Sequence, residues 1–177
     1  MSKSGIINNV LHDGSYEIYF SNNNKIEGKY MRYYSNGKTK IKCDYINGTL
    51  EGIYKSYDIF GNLELKYYYK NNMKHGKYKE YCNKHIKTEC TYIDDKIEGL
   101  LKIYDAGILQ ITCNYKNNIL DGEYKCFYSN GNIKYICNYI NGIIEGVYTK
   151  YNNDGKISKK YIYVNGNIFK TDTLITQ

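Results

Sequence analysis

Asn141-Gly142-Ile143-Ile144-Glu145-Gly146-Val147-Tyr148-Thr149-Lys150-Tyr151 joins a turn pair, an acid–glycine step and two tyrosines three residues apart. The acid–glycine marker with its Tyr and later aromatic recurs as Glu27-Gly28 with Tyr30 and Tyr33, and as Glu51-Gly52 with Tyr54 and Tyr57. Asp121-Gly122 keeps Tyr124 and places Phe127 in the later slot. Two copies are degenerate: His75 replaces the acid before Gly76, and Leu101 replaces the first tyrosine after Glu98-Gly99. The marker glycines Gly28, Gly52, Gly76, Gly99, Gly122 and Gly146 thus step along the chain every 23–24 residues. Self-similarity at such a period signals a repeat array.

The remaining residues fall into register with the marker. One slot holds Cys43, Tyr67, Cys90, Cys113, Cys137 and Tyr161, and two residues later a tyrosine is kept without exception, at Tyr45, Tyr69, Tyr92, Tyr115, Tyr139 and Tyr163. A turn pair follows: Asn47-Gly48, Asn71-Asn72, Asp94-Asp95, Asn117-Asn118, Asn141-Gly142 or Asn165-Gly166. A second turn signal lies inside each repeat, at Asn36-Gly37, Phe60-Gly61, Asn130-Gly131 and Asp154-Gly155. Asn-Gly and Asp-Gly supply the positive φ angles of type I′ hairpin turns, so each repeat is expected to be a β-hairpin. The short copies have Lys84 and Ala106-Gly107 at this point, which predicts different loops there.

Between turns the pattern alternates. Leu63, Leu65, Tyr67 and Tyr69 share one face, as do Ile133, Tyr135, Cys137 and Tyr139, with mostly polar residues between them. Period-two alternation indicates strands with one buried face, and no window sustains a helical stripe. The expected fold is all-β: an elongated antiparallel meander of about thirteen or fourteen strands, stacked hairpin upon hairpin. Residues 1–12 read as a leader and 13–170 as a single repeat domain. A half repeat over 13–24 begins that domain, and six full repeats run from about 25 to 168. Residues 171–177 read as a tail. The marker glycine is expected opposite the Cys slot across the linking turn, beneath a neighbouring tyrosine ring that a Cβ would obstruct. The face of Tyr, Cys, Leu and Ile calls for a cover: a curl of the sheet, a second copy or a partner.

The composition suits this reading. The 177 residues include 24 Tyr and 16 Gly, with no Pro and no Trp. The absence of Pro favours regular ladders. Net charge is +7, which fits an acidic partner, although the lysines are spread along the chain as on a solvated face. No secretory signal and no apolar stretch long enough to span a membrane is visible, which predicts an intracellular, cytoplasmic address.

The run Asn-Gly, three residues, Gly, one residue, Tyr, as at Asn47-Gly48-Thr49-Leu50-Glu51-Gly52-Ile53-Tyr54, resembles the MORN repeat. The second glycine of its Gly-x-Gly is missing here, and the Tyr-x-x-Tyr step resembles the variant repeats of bacterial antitoxin-like and giant-virus proteins. The resemblance spans residues 13 to about 168. It implies a curved β-sheet for protein contacts or dimerisation, an antitoxin-like inhibitor, or a peripheral binder of acidic phospholipid.

Catalytic chemistry finds little footing. The six cysteines include no C-x-x-C pair, and four occupy one slot whose copies stand roughly 9–10 Å apart, too far for disulfides. They read as small buried hydrophobes in a reducing compartment, with Cys82 and Cys90 the pair close enough to check. His12, His75 and His85 have no nucleophile or carboxylate at motif spacing. The acids Glu27, Glu51, Glu98, Asp121 and Glu145 read as a solubilising edge. The expectation is a non-enzymatic scaffold with no catalytic residue, metal or cofactor, which binds a protein partner or itself. Acidic lipid ranks second, nucleic acid is disfavoured and no small-molecule substrate is expected. The candidate binding surface is the aromatic row Tyr33, Tyr57, Tyr81, Tyr104, Phe127 and Tyr151. Alternation places this row opposite the Tyr30 row, unless a bulge turns both to one side. It lies among lysines such as Lys40, Lys87 and Lys134.

Overall fold

A computed structural model describes residues 4–172. The all-β antiparallel meander expected from the period is what forms: each strand pairs with its chain neighbours, and the described residues contain no helix. Contacts divide the chain into two compact units. The first comprises the described residues up to Ile86 together with Tyr92–Asp95, and the second Lys87–Thr91 with Lys96 onward.

The first unit holds β1 (Gly5–Val10), β2 (Tyr16–Asn22), β3 (Lys25–Tyr33), β4 (Thr39–Ile46), β5 (Thr49–Tyr57), β6 (Leu63–Lys70), β7 (Met73–Lys74) and β8 (Gly76–Cys82). Strand β9 (His85–Ile93) contributes residues to both units. The second unit holds β10 (Lys96–Ile97), β11 (Gly99–Asp105), β12 (Ile108–Lys116), β13 (Ile119–Phe127), β14 (Ile133–Ile140), β15 (Ile143–Tyr151), β16 (Ile157–Val164) and β17 (Asn167–Asp172).

Two of the seventeen strands among the described residues are fragments: β7 and β10 are parted from β8 and β11 by His75 and Glu98, the marker positions of the degenerate copies. The segment read as a leader is a strand instead, since β1 pairs with β2 from Gly5↔Ser21 to Val10↔Tyr16. Strand β17 likewise enters the segment read as a tail, and residues 173–177 lie outside the described residues.

The two kinds of turn are distinct. In the linking turns both central residues take positive φ, as at Asn47 (52°) and Gly48 (79°), or Asn117 (51°) and Asn118 (68°). These are the type I′ turns. The turns inside the 24-residue repeats differ from expectation. At Asn36-Gly37 and Asn130-Gly131 only the glycine has positive φ. Gly37 N–H donates to the Tyr34 carbonyl and Tyr34 N–H to that of Lys38, which makes a three-residue loop built on a type I turn. The short copies do use the tighter form, with Asn83 at 50°, Lys84 at 69°, Ala106 at 47° and Gly107 at 84°. A two-residue loop in place of a three-residue one accounts for the 23-residue steps.

The marker glycine also needs correction. Across the hairpin it pairs with the invariant tyrosine, as in Gly28↔Tyr45, Gly52↔Tyr69 and Gly146↔Tyr163. Across the linking turn the ladder runs Lys42↔Lys55 and then Asp44↔Glu51, so Cys43 and Gly52–Tyr54 fall in a bulge. No atom lies within 4 Å of a Cβ built on Gly28, Gly52, Gly99 or Gly146. Backbone angle selects glycine here, with φ between 74° and 78° at these four positions, and not close approach.

A second bulge recurs beside Tyr33, Tyr57, Tyr104, Phe127 and Tyr151, for example between Ser56 and Tyr57, where the pairing passes from Ser56↔Leu65 to Tyr57↔Leu63. The buried apolar residues are few: Cys43, Cys90, Leu101, Cys113 and Cys137. Tyrosine rings of neighbouring strands pack on one another on the face that carries the Cys slot, as at Tyr54–Tyr67 and Tyr135–Tyr148.

Candidate functional site

The row of acids at the linking turns is structural. Glu27 accepts the Asn47 N–H at 2.7 Å, Glu51 that of Asn71 at 2.7 Å, and Glu145 that of Asn165 at 2.7 Å. Glu98 and Asp121 do the same for Asn117 and Asn141, at 2.9 and 3.1 Å. Each carboxylate therefore satisfies a backbone donor in the next linking turn, which corrects the reading of a merely solubilising edge. The degenerate copy keeps a contact of another kind, with His75 Nδ1 lying 3.1 Å from Asp94 Oδ1. Where the second turn residue is not glycine, its side chain adds a bond: Asn72 Oδ1 accepts from Leu50 N–H at 2.7 Å and Asn118 Oδ1 from Ile97 N–H at 2.6 Å.

At the opposite ends of the strands, hairpin turns are stapled. In the first unit Tyr34 Oη donates to the Tyr57 carbonyl at 2.8 Å and Asn36 Nδ2 to the Ile59 carbonyl at 3.1 Å. In the second, Tyr128 Oη donates to the Tyr151 carbonyl at 2.8 Å and Asn130 Nδ2 to the Asn153 carbonyl at 3.0 Å.

Between these edges lies the tyrosine ladder. In the first unit Tyr54 stacks on Tyr67 at 4.8 Å, Tyr67 on Tyr78 at 5.6 Å, and Tyr78 meets Tyr92 edge-on at 5.5 Å. In the second, Tyr124, Tyr135 and Tyr148 stack at 5.9 and 5.4 Å. Each such pair contributes about 0.5–1.5 kcal/mol beyond area burial. Burial pushes the Tyr54 and Tyr148 phenols up to about 12, and the Cys43 thiol to about 12. Thiols so shifted are poor nucleophiles, and all six cysteines are free, Cys82 and Cys90 included. Among the described residues no group of three His, Cys, Asp or Glu side chains converges as a metal site would require.

The aromatic row occupies the other side of these strands. Between Tyr30 and Tyr33 strand β3 keeps an unbroken register with β2, Tyr19↔Tyr30 and Tyr16↔Tyr33, so simple alternation separates the two rows. Tyr33, Tyr57 and Tyr81 in the first unit, and Tyr104, Phe127 and Tyr151 in the second, are all half-buried. Tyr33 stacks on Tyr16 at 4.8 Å, and Tyr104 Oη donates to Glu89 at 2.8 Å. Burial, then that carboxylate, push the Tyr104 phenol up to about 12.

Sequence reasoning missed what stands beside the row. Ile53 is 47% exposed, opposite Tyr68 at 43%, and shares its strand parity with Tyr57. In the second unit Leu100 (47%) and Val147 (57%) share parity with Tyr104 and Tyr151. The slot after the marker glycine holds Lys or Glu in other copies, so its apolar members carried no visible period.

Comparison with known proteins agrees with the repeat geometry. The family model described as MORN repeat variant matches residues 26–47, 50–71, 120–141 and 144–165, each from just before a marker to the next linking turn. A comparison with curated proteins found no match. Among solved structures, a mutant of TarM from S. aureus in complex with Fondaparinux, alpha-GlcNAc-glycerol and UDP is 15% identical over 68% of this chain, with a TM-score of 0.34. A further TarM crystal structure is 15% identical with a TM-score of 0.33. This chain spans 20% of the length of each. Four family matches, type I′ linking turns and a marker glycine held at positive φ meet in one repeating unit, and the chain belongs to the MORN-repeat proteins of the variant class.

Proposed function

We propose that this chain is a non-enzymatic scaffold that binds a protein partner through the sheet face carrying the aromatic row. MORN repeats are in general protein- or lipid-binding modules. The observation that carries the narrower reading is the division of labour among side chains. Carboxylates hold linking turns, phenols staple hairpin turns, and most thiols lie buried. What is left for a partner in each unit is half-buried aromatics beside exposed aliphatics: Tyr57 with Ile53, and Tyr151 with Val147. Aromatic anchors flanked by apolar side chains are the composition of interface centres.

Affinity capture with the intact chain tests this reading, with Ile53→Lys/Val147→Lys and Tyr57→Ala/Tyr151→Ala as paired variants. The expected result is a specific protein retained by the native chain and lost by both variants. Light scattering that shows a dimer dissolved by the same substitutions would make that partner a second copy. Retention by both variants overturns the assignment to this face, and flotation with anionic vesicles in the absence of any protein partner favours lipid instead.

A further inference from the structure

Two hairpin turns close on the next turn through a phenol. Tyr34 reaches the Tyr57 carbonyl with Lys40 Nζ lying 5.0 Å from its ring centre, and Tyr128 reaches the Tyr151 carbonyl with Lys134 Nζ at 5.7 Å. Twenty-four residues after Tyr34 the same slot is open. A pocket of about 390 Å³ lies there, lined by Asp58, Leu63 and Glu64 from one hairpin and by Tyr81, Cys82 and Lys84 from the next. Position for position these are the counterparts of Tyr34, Thr39, Lys40, Tyr57, Asp58 and Phe60.

Two changes empty the slot. Asp58 replaces the ring and turns its carboxylate onto its own loop, where it accepts the N–H groups of Phe60 at 2.9 Å and Asn62 at 2.8 Å. The following loop, Asn83-Lys84, is the two-residue form, one residue shorter than the loop that Tyr34 meets. The charge reverses as well. The ammonium that rides over the phenol in the filled slots is replaced by the exposed carboxylate of Glu64. The walls remain those of a site for a flat, hydrogen-bond-donating group, but two carboxylates, Asp58 and Glu64, now stand against a single ammonium, Lys84.

We infer that this pocket takes the guanidinium of an arginine presented by a partner protein. A guanidinium is planar like the phenol it would replace, and its five N–H donors suit both a carboxylate and a main-chain carbonyl. Glu64 is the carboxylate, and the Tyr81 carbonyl is the counterpart of the acceptor that Tyr34 uses. The hydrocarbon of Leu63 and the Tyr81 ring suit the arginine stem. A neutral phenol from a partner would meet two carboxylates against the one ammonium of Lys84, with no ammonium at the position that Lys40 and Lys134 hold over the rings of the filled slots. The same two charges, Asp58 and Glu64, already help to raise the Tyr34 phenol, after burial. A lysine would supply one point charge without the planar fork. This site goes beyond the scaffold reading and lies at the hairpin-turn edge, so substitutions at Ile53 and Val147 leave it intact and the two proposals fail separately.

Cys82 supplies the readout, since it is exposed on the pocket wall while Cys43, Cys90, Cys113 and Cys137 are buried and Cys126 is half-buried. The experiment measures alkylation of Cys82 by N-ethylmaleimide in the full chain, titrated at constant ionic strength with N-acetyl-arginine methylamide. The lysine, citrulline and tyrosine analogues are run in parallel. Saturable protection by the arginine compound is expected, weaker by about tenfold with citrulline, which keeps the shape and loses the charge. Glu64→Lys recreates the cation of the filled slots and is expected to abolish protection while Cys82 stays reactive. Glu64→Gln, which retains an acceptor, is expected to weaken it about fivefold. No protection by the arginine compound, equal protection by citrulline or tyrosine, or full protection in Glu64→Lys overturns the assignment.

Discussion

Gly146 sits at φ +78° with nothing within 4 Å of an added Cβ. Space would therefore admit alanine, and only the left-handed backbone opposes it. Gly146→Ala is expected to destabilise the chain by about 1–2 kcal/mol. Chemical denaturation checks this: an unchanged or raised midpoint would show that the bulge relaxes to negative φ and that the marker glycine has another cause. The identity of this residue was legible in the sequence from its period. Its reason was not, because a recurring glycine reports either a positive φ or a close approach, and one sequence does not separate them. The same limit applied at Cys43, whose small size was read correctly while its neighbour across the linking turn was displaced by the bulge.

At the scale of strands and turns, the linking turns at Asn47, Asn71, Asn117, Asn141 and Asn165 are each held by a carboxylate about twenty residues upstream. Glu145→Ala removes the acceptor of the Asn165 N–H and is expected to cost about 1 kcal/mol. Glu145→Gln keeps an oxygen in reach and is expected to cost less. Hydrogen exchange at the Asn165 amide is the direct measurement: protection should fall in the alanine variant, and unchanged protection would mean that the bond contributes nothing in solution. The strands themselves were readable from their alternation. The acids were not, because a side chain that reaches a backbone donor in another repeat looks, in one dimension, like any exposed charge. The loop type also escaped, since Asn-Gly serves both two-residue and three-residue hairpins, and only the spacing to the flanking pairs tells them apart.

For the whole molecule, stability rests on phenols kept neutral along the ladder. Tyr54 and Tyr148 are pushed up to about 12, each with burial as the leading cause. Unfolded tyrosine ionises near its ordinary value of 10.0, so above that pH the unfolded chain binds fewer protons than the folded one. Their stabilisation is fully present below pH 10 and is expected to drain away as pH rises towards 12. Absorbance at 295 nm followed beside circular dichroism should show late phenolate formation that coincides with loss of strand signal. A single early titration near pH 10 with the fold intact would contradict the ladder's burial.

Chain order alone determined the repeat, its hairpin unit and the tyrosine-bearing face, because period and alternation are local properties that survive projection onto a line. Tertiary structure decided what those rows do. It assigned the acids to turns, placed β1 where a leader had been expected, and set exposed aliphatics beside the aromatic row. It also left a slot open between Asp58 and Tyr81 that a phenol fills at Tyr34 and Tyr128. The turn and slot contacts join residues of successive repeats, and the energy of such contacts is written only when the repeats stack.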